Sequence, residues 1–415
     1  MDTSQLGAQQ EINTWLKDKA LKKIADNLNI PCQNFTYKLT LPENCHFLSS
    51  VWFLDIKYSE TNNVSDKTDE KNHTFHLVIK KPAFNDALAD VMHTDALFHN
   101  EILFFETIAG GSEDFPRCLL TIENKKDQSN SIIVMENIGY RGYEICPKSY
   151  DIPFEYTISA MQAIGRFHGM GYVMKTRKPK EFFDVVDNIQ ESRYIPGDKF
   201  NQFVNLIATR PVEWMRKHNY DPHFIDIMEK HLSDAFTNVQ VDAIRPIEPL
   251  AVLCHGDFTR NNVFFRKTET GISSMLIDFA MLRYSSPAID TSTFLYLNVS
   301  RTDRNERFNE IFTAYHDALI NYLQEHGIKD LEKYSYSKLL DDYKQRALFG
   351  FVIAEFFLPI VRGMSAVTQD DLAEWDIELW ANKTRTLGGD AFSQELADIL
   401  EDLWNQGCLD HILNN

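Results

Sequence analysis

Two aspartates and an asparagine in the second half of the chain have the residue types and the spacing that phosphoryl transfer requires. Asp257 and Asn262 lie in the segment that begins His255-Gly256, and Asp278 follows an apolar run. Phosphoryl transfer needs a carboxylate that orients the attacking hydroxyl, together with oxygen ligands that hold magnesium on the phosphates. Asp257 is therefore the candidate base. Asn262 and Asp278 are the candidate metal ligands, because Mg²⁺ prefers oxygen donors.

The elements that must position these residues are predicted as a hairpin. Apolar runs at residues 263–265 and 275–277 flank a turn at 268–271, which is typical of two paired strands. The hairpin places Asn262 before its first strand and Asp278 at the end of its second. The alternative is a loop of turn residues with an incidental aspartate, since short motifs occur by chance. His255 is interpreted as a structural residue that supports the loop.

A cation for the nucleotide phosphates is predicted in the first third of the chain. Lys80 closes an apolar strand at residues 75–80, as the phosphate-binding lysine of kinases does. Lys81 is adjacent, and a slip of one residue would exchange their faces, so the choice between the two stays open. Glu101 lies on the apolar face of a helix predicted over residues 94–108. A carboxylate on such a face requires a cationic partner, which predicts a Lys80–Glu101 ion pair.

Further nucleotide contacts are predicted from the positions of main-chain groups. Glu136 and Ile138 follow a short apolar strand, and their backbone groups are the candidates for binding the adenine edge. Ser49 and Ser50 end a loop at residues 42–50, between the first two strands, where a phosphate-covering loop is expected. That loop contains no glycine, so a plain hairpin connection is the alternative. ATP and Mg²⁺ are the predicted cofactors.

The pattern of apolar residues predicts an α+β protein in two parts. Residues 1–137 form a strand-rich part with an N-terminal helix at residues 9–29, and the polar stretch at residues 61–72 is interpreted as a solvated loop. Residues 138–415 are mostly helical. Helices are predicted over residues 155–171, 198–217, 222–236, 303–325, 336–361 and 392–405.

Composition narrows the classes of partner. The 415 residues carry a formal net charge of −18, which argues against nucleic acid or an anionic membrane as the main partner. The six cysteines form no CxxC pair, which argues against a zinc site or a disulfide framework. No signal peptide and no membrane span are expected, so a cytoplasmic location is predicted. No protein partner is indicated.

Several segments in order along the chain resemble those of one family, the ecdysteroid kinase-like or CHK kinase-like proteins, relatives of choline kinases and aminoglycoside phosphotransferases. The resemblance covers nearly the whole chain. The matching segments are residues 98–105, 133–138, 164–169, 254–262, 276–279 and 283–290. It implies a two-lobed, protein-kinase-like fold with a small strand-rich N-lobe and a large helical C-lobe.

The resemblance also implies residue roles. Asp257 takes the base role, Asn262 and Asp278 the metal, and Lys80 with Glu101 the phosphate contacts. His168 and Asp290 are implied as scaffolding residues. The departures are Ser285 where glycine is usual, Phe258-Thr259-Arg260 in place of Leu-Trp-x, and the glycine-free loop.

The predicted function is an ATP-dependent small-molecule kinase that phosphorylates a hydroxyl on a steroid or a xenobiotic phenol, as in detoxification. A protein kinase is disfavoured, because Ala280 replaces the glycine of Asp-Phe-Gly and little chain separates Asp278 from Asp290. The alternative is an inactive or weak nucleotide- or ligand-binding pseudokinase. Four aromatic residues either line the acceptor pocket or belong to the core: Trp214, Phe258, Phe294 and Tyr296.

Overall fold

The chain divides into two compact units, Met1–Tyr143 and Glu144–Asn415. The computed structural model describes residues 12–31, 35–41, 49–64, 67–82, 93–127, 130–364 and 376–414. The sequence-based assignment of nucleotide-phosphate binding to residues 1–137 and of catalysis to residues 138–415 stays a prediction.

The first unit is built on a five-stranded antiparallel sheet with the order β1-β2-β3-β5-β4. Long hairpins bring sequential strands together, and only β5 inserts out of order beside β3. The strands are β1 (Phe35–Thr40), β2 (Ser49–Val64), β3 (Lys67–Pro82), β4 (Cys118–Ile122) and β5 (Ile132–Glu136). The helices are α1 (Leu21–Asn27), preceded by a π-helical turn at Leu16–Ala20, and α2 (Thr94–Thr107).

One face of this sheet is covered by the N-terminal helical segment. Successive side chains of a strand point to opposite faces, so alternate residues of β2 and β3 share the covered face. The resulting core joins the helix to the sheet and includes Leu16, Ala20, Ile24, Trp52, Leu54, Ile56, Leu77, Ile79, Ile132 and Val134. The burial of these apolar side chains stabilises the unit and fixes which face each residue of β3 presents.

The β2–β3 hairpin is longer than its hydrophobic pattern indicates. The interpretation of residues 61–72 as a loop is wrong, because the two strands stay paired out to Val64 and Lys67. Backbone hydrogen bonds of an antiparallel ladder are independent of side-chain polarity, so a polar sequence can extend a hairpin without contributing to a core. The predicted phosphate-covering loop at residues 42–48 lies outside the described residues.

The second unit is mainly helical. Its helices are α3 (Phe154–Arg177), α4 (Pro179–Asn188), α5 (Lys199–Ile207), α6 (Arg210–Lys217), α7 (Pro222–Leu232), α8 (Asp242–Ile244), α9 (Ala288–Asn298), α10 (Arg301–Glu306), α11 (Phe308–Glu325), α12 (Tyr336–Val361), α13 (Ile377–Thr386), α14 (Gly389–Asn405) and α15 (Asp410–Leu413). A π-helical turn at Phe236–Val241 leads into α8.

Two helix pairs form the centre of this unit, α3 against α11 and α9 against α12. Gly165 permits the first contact, because a Cβ there would lie 2.4 Å from the Tyr315 carbonyl oxygen. The helix predicted over residues 336–361 is confirmed as α12. Two other predicted helices, 198–217 and 303–325, are each divided in two, at Ala208–Thr209 and at Arg307.

Short strands carry the segments of chemical interest. β8 (Val263–Thr268) and β9 (Gly271–Leu276) form the predicted hairpin, and β6 (Glu144–Ile145) pairs with β8. β7 (Val252–Cys254) pairs with β10 (Arg283–Ser285). The hairpin prediction and the α+β class are confirmed. None of the helices among the described residues is long and apolar enough to cross a membrane.

Candidate active site

The segment that follows β7 makes a sharp turn at Gly256. Its φ is +81°, and a Cβ at this position would lie 1.9 Å from the Met281 carbonyl oxygen. Both the left-handed backbone and the close approach exclude a side chain. The glycine therefore lets the loop that carries Asp257 pack directly against the segment between β9 and β10.

Asp290, at the start of α9, holds this turn in place by accepting hydrogen bonds from its backbone. Its Oδ2 accepts a hydrogen bond from the His255 backbone N–H at 2.7 Å, and its Oδ1 accepts one from the Gly256 N–H at 2.8 Å. His168 Nε2 lies 3.0 Å from Oδ2, and His168 Nδ1 lies 3.0 Å from the Tyr315 hydroxyl. The scaffolding role implied for Asp290 and His168 agrees with these contacts.

These hydrogen bonds keep Asp290 ionised. Burial by itself raises the pKa of its carboxyl, but the hydrogen bond and charge of His168, with His255 and the Gly256 amide, outweigh burial and lower it. Cys254 lies close to His168 and Asp290, and all three are buried. Burial raises the pKa of the Cys254 thiol well above its ordinary value, so this group is a neutral part of the core.

His255 ties the turn to the chain after β9. Its Nδ1 accepts a hydrogen bond from the Asp257 N–H at 3.3 Å, and its Nε2 lies 2.9 Å from the Ile277 carbonyl oxygen. A neutral imidazole with its proton on Nε2 satisfies both contacts. The structural role predicted for His255 agrees with this arrangement, because the ring spans from Asp257 to the residue before Asp278.

Asp257 and Asn262 are in direct contact. Asn262 Nδ2 donates to Asp257 Oδ2 at 2.8 Å and to the Asp257 carbonyl oxygen at 2.9 Å. The amide nitrogen is thus hydrogen-bonded within the loop. The Oδ1 atom of the same amide remains as a ligand for a cation. An amide oxygen and a carboxylate are the ligands that Mg²⁺ accepts, so Asn262 and Asp278 fit this ion.

Asp278 lies two residues beyond β9, with a φ of +64°. Aspartate tolerates this left-handed conformation better than most residues, although it is strained. The side chain is partly exposed. Its carboxylate is close enough to Asp257 to raise the pKa of that residue. The structure thus brings together the three residues predicted for the base and the metal.

The surroundings shift the pKa of Asp257 upward. The surrounding protein removes water from this partly exposed carboxyl, which is the largest cause and raises the pKa. The charge of Asp278 adds to this rise, and the hydrogen bond from Asn262 opposes it. Arg193 also lowers this pKa. A raised pKa suits a group that must accept a proton during the reaction.

In the first unit, Lys80 and Glu101 form the predicted ion pair. Lys80 Nζ donates to Glu101 Oε2 at 2.5 Å, and both side chains are buried. Lys81 points to the other face of β3, where its Nζ lies 4.1 Å from the centre of the Trp15 ring. Because the two lysines lie on opposite faces of β3, Lys80 is the one that contacts Glu101 of α2. Its role toward phosphate stays a prediction.

The other predicted nucleotide contacts lie on β2 and after β5. Ser49 and Ser50 begin β2, and Ser50 pairs with Lys81 across the sheet. The Glu136 N–H donates to the Arg117 carbonyl oxygen at 2.9 Å, and Ile138 O accepts from the Tyr143 N–H. These two backbone groups are therefore hydrogen-bonded within the protein, and the adenine contact stays a prediction.

The aromatic residues proposed for an acceptor pocket divide by burial. Phe258 and Phe294 are fully buried and stacked with ring centres 4.5 Å apart, and Tyr296 is also buried, as expected for core residues. Trp214 is partly exposed and stacks on His218.

An ion pair beside the loop that carries Asp257 was not predicted from the sequence. Arg283, opposite Cys254 in the β7–β10 pair, donates to Glu191 at 3.1 Å. Residues 191–194 carry no motif, so nothing in the sequence indicated it.

The model of the ecdysteroid kinase-like family matches residues 45–328. No match was found among curated proteins. Similar solved structures include an ethanolamine kinase from Plasmodium vivax, at 12% identity and a TM-score of 0.40, covering 85% of this chain and 81% of that one.

Two further structures complete this comparison. A microcompartment-associated aminopropanol kinase has 10% identity and a TM-score of 0.41, covering 85% of this chain and 94% of the other. The aminoglycoside phosphotransferase APH(4)-Ia, with ADP and hygromycin B, has 12% identity and a TM-score of 0.31, covering 90% and 98%. Likenesses at this level carry no information about activity. The family match spans most of the chain, and the chain therefore belongs to the ecdysteroid kinase-like family.

Proposed function

We propose that this protein transfers the γ-phosphoryl group of ATP to a hydroxyl of a small molecule. The observation that carries the proposal is the contact between Asp257 and Asn262, on a loop held by Asp290 and beside Asp278. One carboxylate that accepts a proton and two oxygen ligands for Mg²⁺ are the parts that phosphoryl transfer needs. Membership of a kinase-like family agrees with this activity.

The reaction assigns one task to each group. The acceptor oxygen bonds to the γ-phosphorus while the bond between that phosphorus and the β–γ bridging oxygen breaks. ADP leaves, and the acceptor proton passes to Asp257 and then to solvent. Mg²⁺, when bound, neutralises charge on the phosphates. Asn262 and Asp278 would hold it, and Lys80, oriented by Glu101, would contact the nucleotide phosphates.

The family match supports a proposal for the acceptor class. A steroid alcohol of the ecdysteroid kind, or a xenobiotic phenol, is the proposed acceptor, and a role in detoxification would follow. The alternative of a binding protein without turnover rests on the glycine-free segment at residues 42–50. Turnover measurements separate the two.

The test combines an acceptor screen with one substitution. Purified protein is incubated with labelled ATP, Mg²⁺ and panels of ecdysteroids, phenols, glycosides and choline, and products are identified by mass spectrometry. Asp257→Asn is expected to lower kcat by about 10²–10⁴-fold, since a general base contributes that much. Its thermal stabilisation by Mg²⁺–ATP should persist.

A matched control distinguishes chemistry from folding. Asp184→Asn removes an exposed carboxylate of α4 that pairs with Lys180, and it should leave kcat unchanged. Wild-type turnover in Asp257→Asn would refute the assignment of the base. Stabilisation by Mg²⁺–ATP without turnover on any acceptor would favour the binding protein instead.

A further inference from the structure

The chain between α4 and α5 forms a tight turn at residues 191–194. Glu191 Oε1 accepts hydrogen bonds from the backbone N–H groups of Ser192, Arg193 and Tyr194, at 3.0, 2.8 and 3.0 Å. A carboxylate that accepts three amide hydrogen bonds fixes the backbone of the residues that donate them. The orientation of the turn is therefore set by the position of Glu191.

Glu191 is in turn fixed to the strands that lead into the catalytic loop. Arg283 donates to Glu191 Oε2 at 3.1 Å, and its guanidinium lies 4.6 Å from the centre of the Tyr194 ring. Arg283 is buried and lies directly opposite Cys254 in the β7–β10 pair. The turn and the loop that carries Asp257 thus share one rigid support.

The side chain of Arg193 belongs to this turn and interacts electrostatically with Asp257. Its guanidinium lies 4.4 Å from the centre of the Phe200 ring and is close enough to Asp257 for their charges to interact. Within the described parts of the chain, this guanidinium donates no hydrogen bond to a protein oxygen. The nearby carboxylate of Glu191 is bonded to Arg283.

An arginine in this position has unused binding capacity. A guanidinium carries five N–H donors in a planar fork, and it stays protonated even where burial lowers its pKa, as it does here. The stacking on Phe200 limits the rotamers of the side chain, so the fork is held in place beside the candidate base. N–H groups that are held in place without a protein acceptor are suited to donate hydrogen bonds to an oxygen of a ligand.

We propose that Arg193 binds a second oxygen of the acceptor, next to the hydroxyl whose proton passes to Asp257. This inference rests on the proposed kinase function. It identifies the acceptor as a neutral or anionic molecule with two neighbouring oxygens, such as a vicinal diol. It also disfavours cationic amines, because a fixed guanidinium at the acceptor repels a second cation.

Three acceptors provide the probes for the test: a steroid with a vicinal diol, the same steroid with one of the two hydroxyls, and choline. Arg193→Gln should raise KM for the diol by about 10–100-fold, the range that one hydrogen bond to a charged group supplies. KM for ATP should not change. KM for the monohydroxyl steroid should rise by less than about 3-fold. The ratio of kcat/KM for the diol to kcat/KM for choline should fall.

The controls separate this role from folding and from the proposed function. Arg193→Lys keeps the charge but loses the planar fork, so its KM for the diol should lie between those of the wild type and Arg193→Gln. Arg216→Gln removes an exposed arginine on α6 and should match the wild type. Unchanged diol selectivity in both Arg193 variants overturns the inference and leaves the kinase function intact. A wild type that phosphorylates neither these three acceptors nor any compound of the wider panel overturns both.

Discussion

Asp290 offers the sharpest test of how the fold positions the loop that carries Asp257. The substitution Asp290→Asn keeps the size of the side chain but replaces one acceptor oxygen by an NH₂ group. The least disruptive placement puts NH₂ at Oδ1, opposite the Gly256 N–H, and leaves that partly buried donor without an acceptor. The contacts with His255 and His168 remain, but to a neutral oxygen.

The magnitude follows from these three contacts. A buried donor left without a partner costs about 1–3 kcal/mol, and a hydrogen bond to a neutral acceptor is weaker than one to a charged acceptor by about 1 kcal/mol. The free energy of unfolding should therefore fall by about 3–5 kcal/mol. The loop that carries Asp257 should also shift, and a displacement of that kind lowers kcat by about 10²-fold.

The assay is urea unfolding of the wild type and Asp290→Asn at several pH values. The pKa of Asp290 is lowered in the folded protein, so the ionised carboxylate contributes stability above its ordinary pKa of 3.8. That contribution is lost as the pH falls through the lower pKa of the folded state. The difference in the free energy of unfolding between the wild type and Asp290→Asn should have its full size at pH 7 and should become smaller below about pH 4.

The exposed Asp184→Asn serves again as the control and should change stability by less than about 1 kcal/mol. Equal unfolding midpoints and equal kcat values for Asp290→Asn and the wild type would show that Asp290 does not hold the loop.

Two further predictions concern backbone strain and a buried carboxyl. Gly256→Ala should lower the free energy of unfolding by more than the about 1–3 kcal/mol that a strained φ costs, because the new Cβ would meet the Met281 carbonyl oxygen. Gly111→Ala, at a φ of +76° with nothing within 4 Å of its Cβ, should lose only the contribution of the strain. Equal losses for the two variants in urea unfolding would contradict this prediction. Burial raises the pKa of Glu355 well above 4.5 and outweighs the charges of Arg210 and Arg385, so the folded state binds its proton more tightly than the unfolded state does. The wild type should then lose stability relative to Glu355→Gln as the pH rises above about 4.5, by up to about 1.4 kcal/mol per pH unit until the folded pKa is reached; a pH-independent difference would contradict this.

The parts of the fold with a regular hydrophobic period could be predicted. The helix at residues 336–361 shows such a period in its first half, and the hairpin of β8 and β9 shows a turn between apolar runs. Both are confirmed. α9 could not be predicted, because all its residues from Ala288 to Asn298 are buried and leave no polar face for a helical period. The paired strands beyond residue 60 were missed because their sequence is polar.

The sequence alone predicted the chemistry of the candidate site. The residue types and spacing of Asp257, Asn262 and Asp278 predict oxygen ligands and a proton acceptor, and Glu101 on an apolar helix face predicted a cationic partner. These are local properties, since side-chain chemistry and short-range spacing do not depend on distant parts of the chain.

Only the tertiary structure decided which residues support that chemistry. The covered face of β3 directs Lys80 to Glu101 and Lys81 to Trp15, because the N-terminal segment packs on one side of the sheet. Asp290 reaches the loop, and Glu191 places Arg193 beside Asp257, through contacts between segments far apart in the chain. No local pattern encodes such contacts, because they arise from the packing of whole helices and strands.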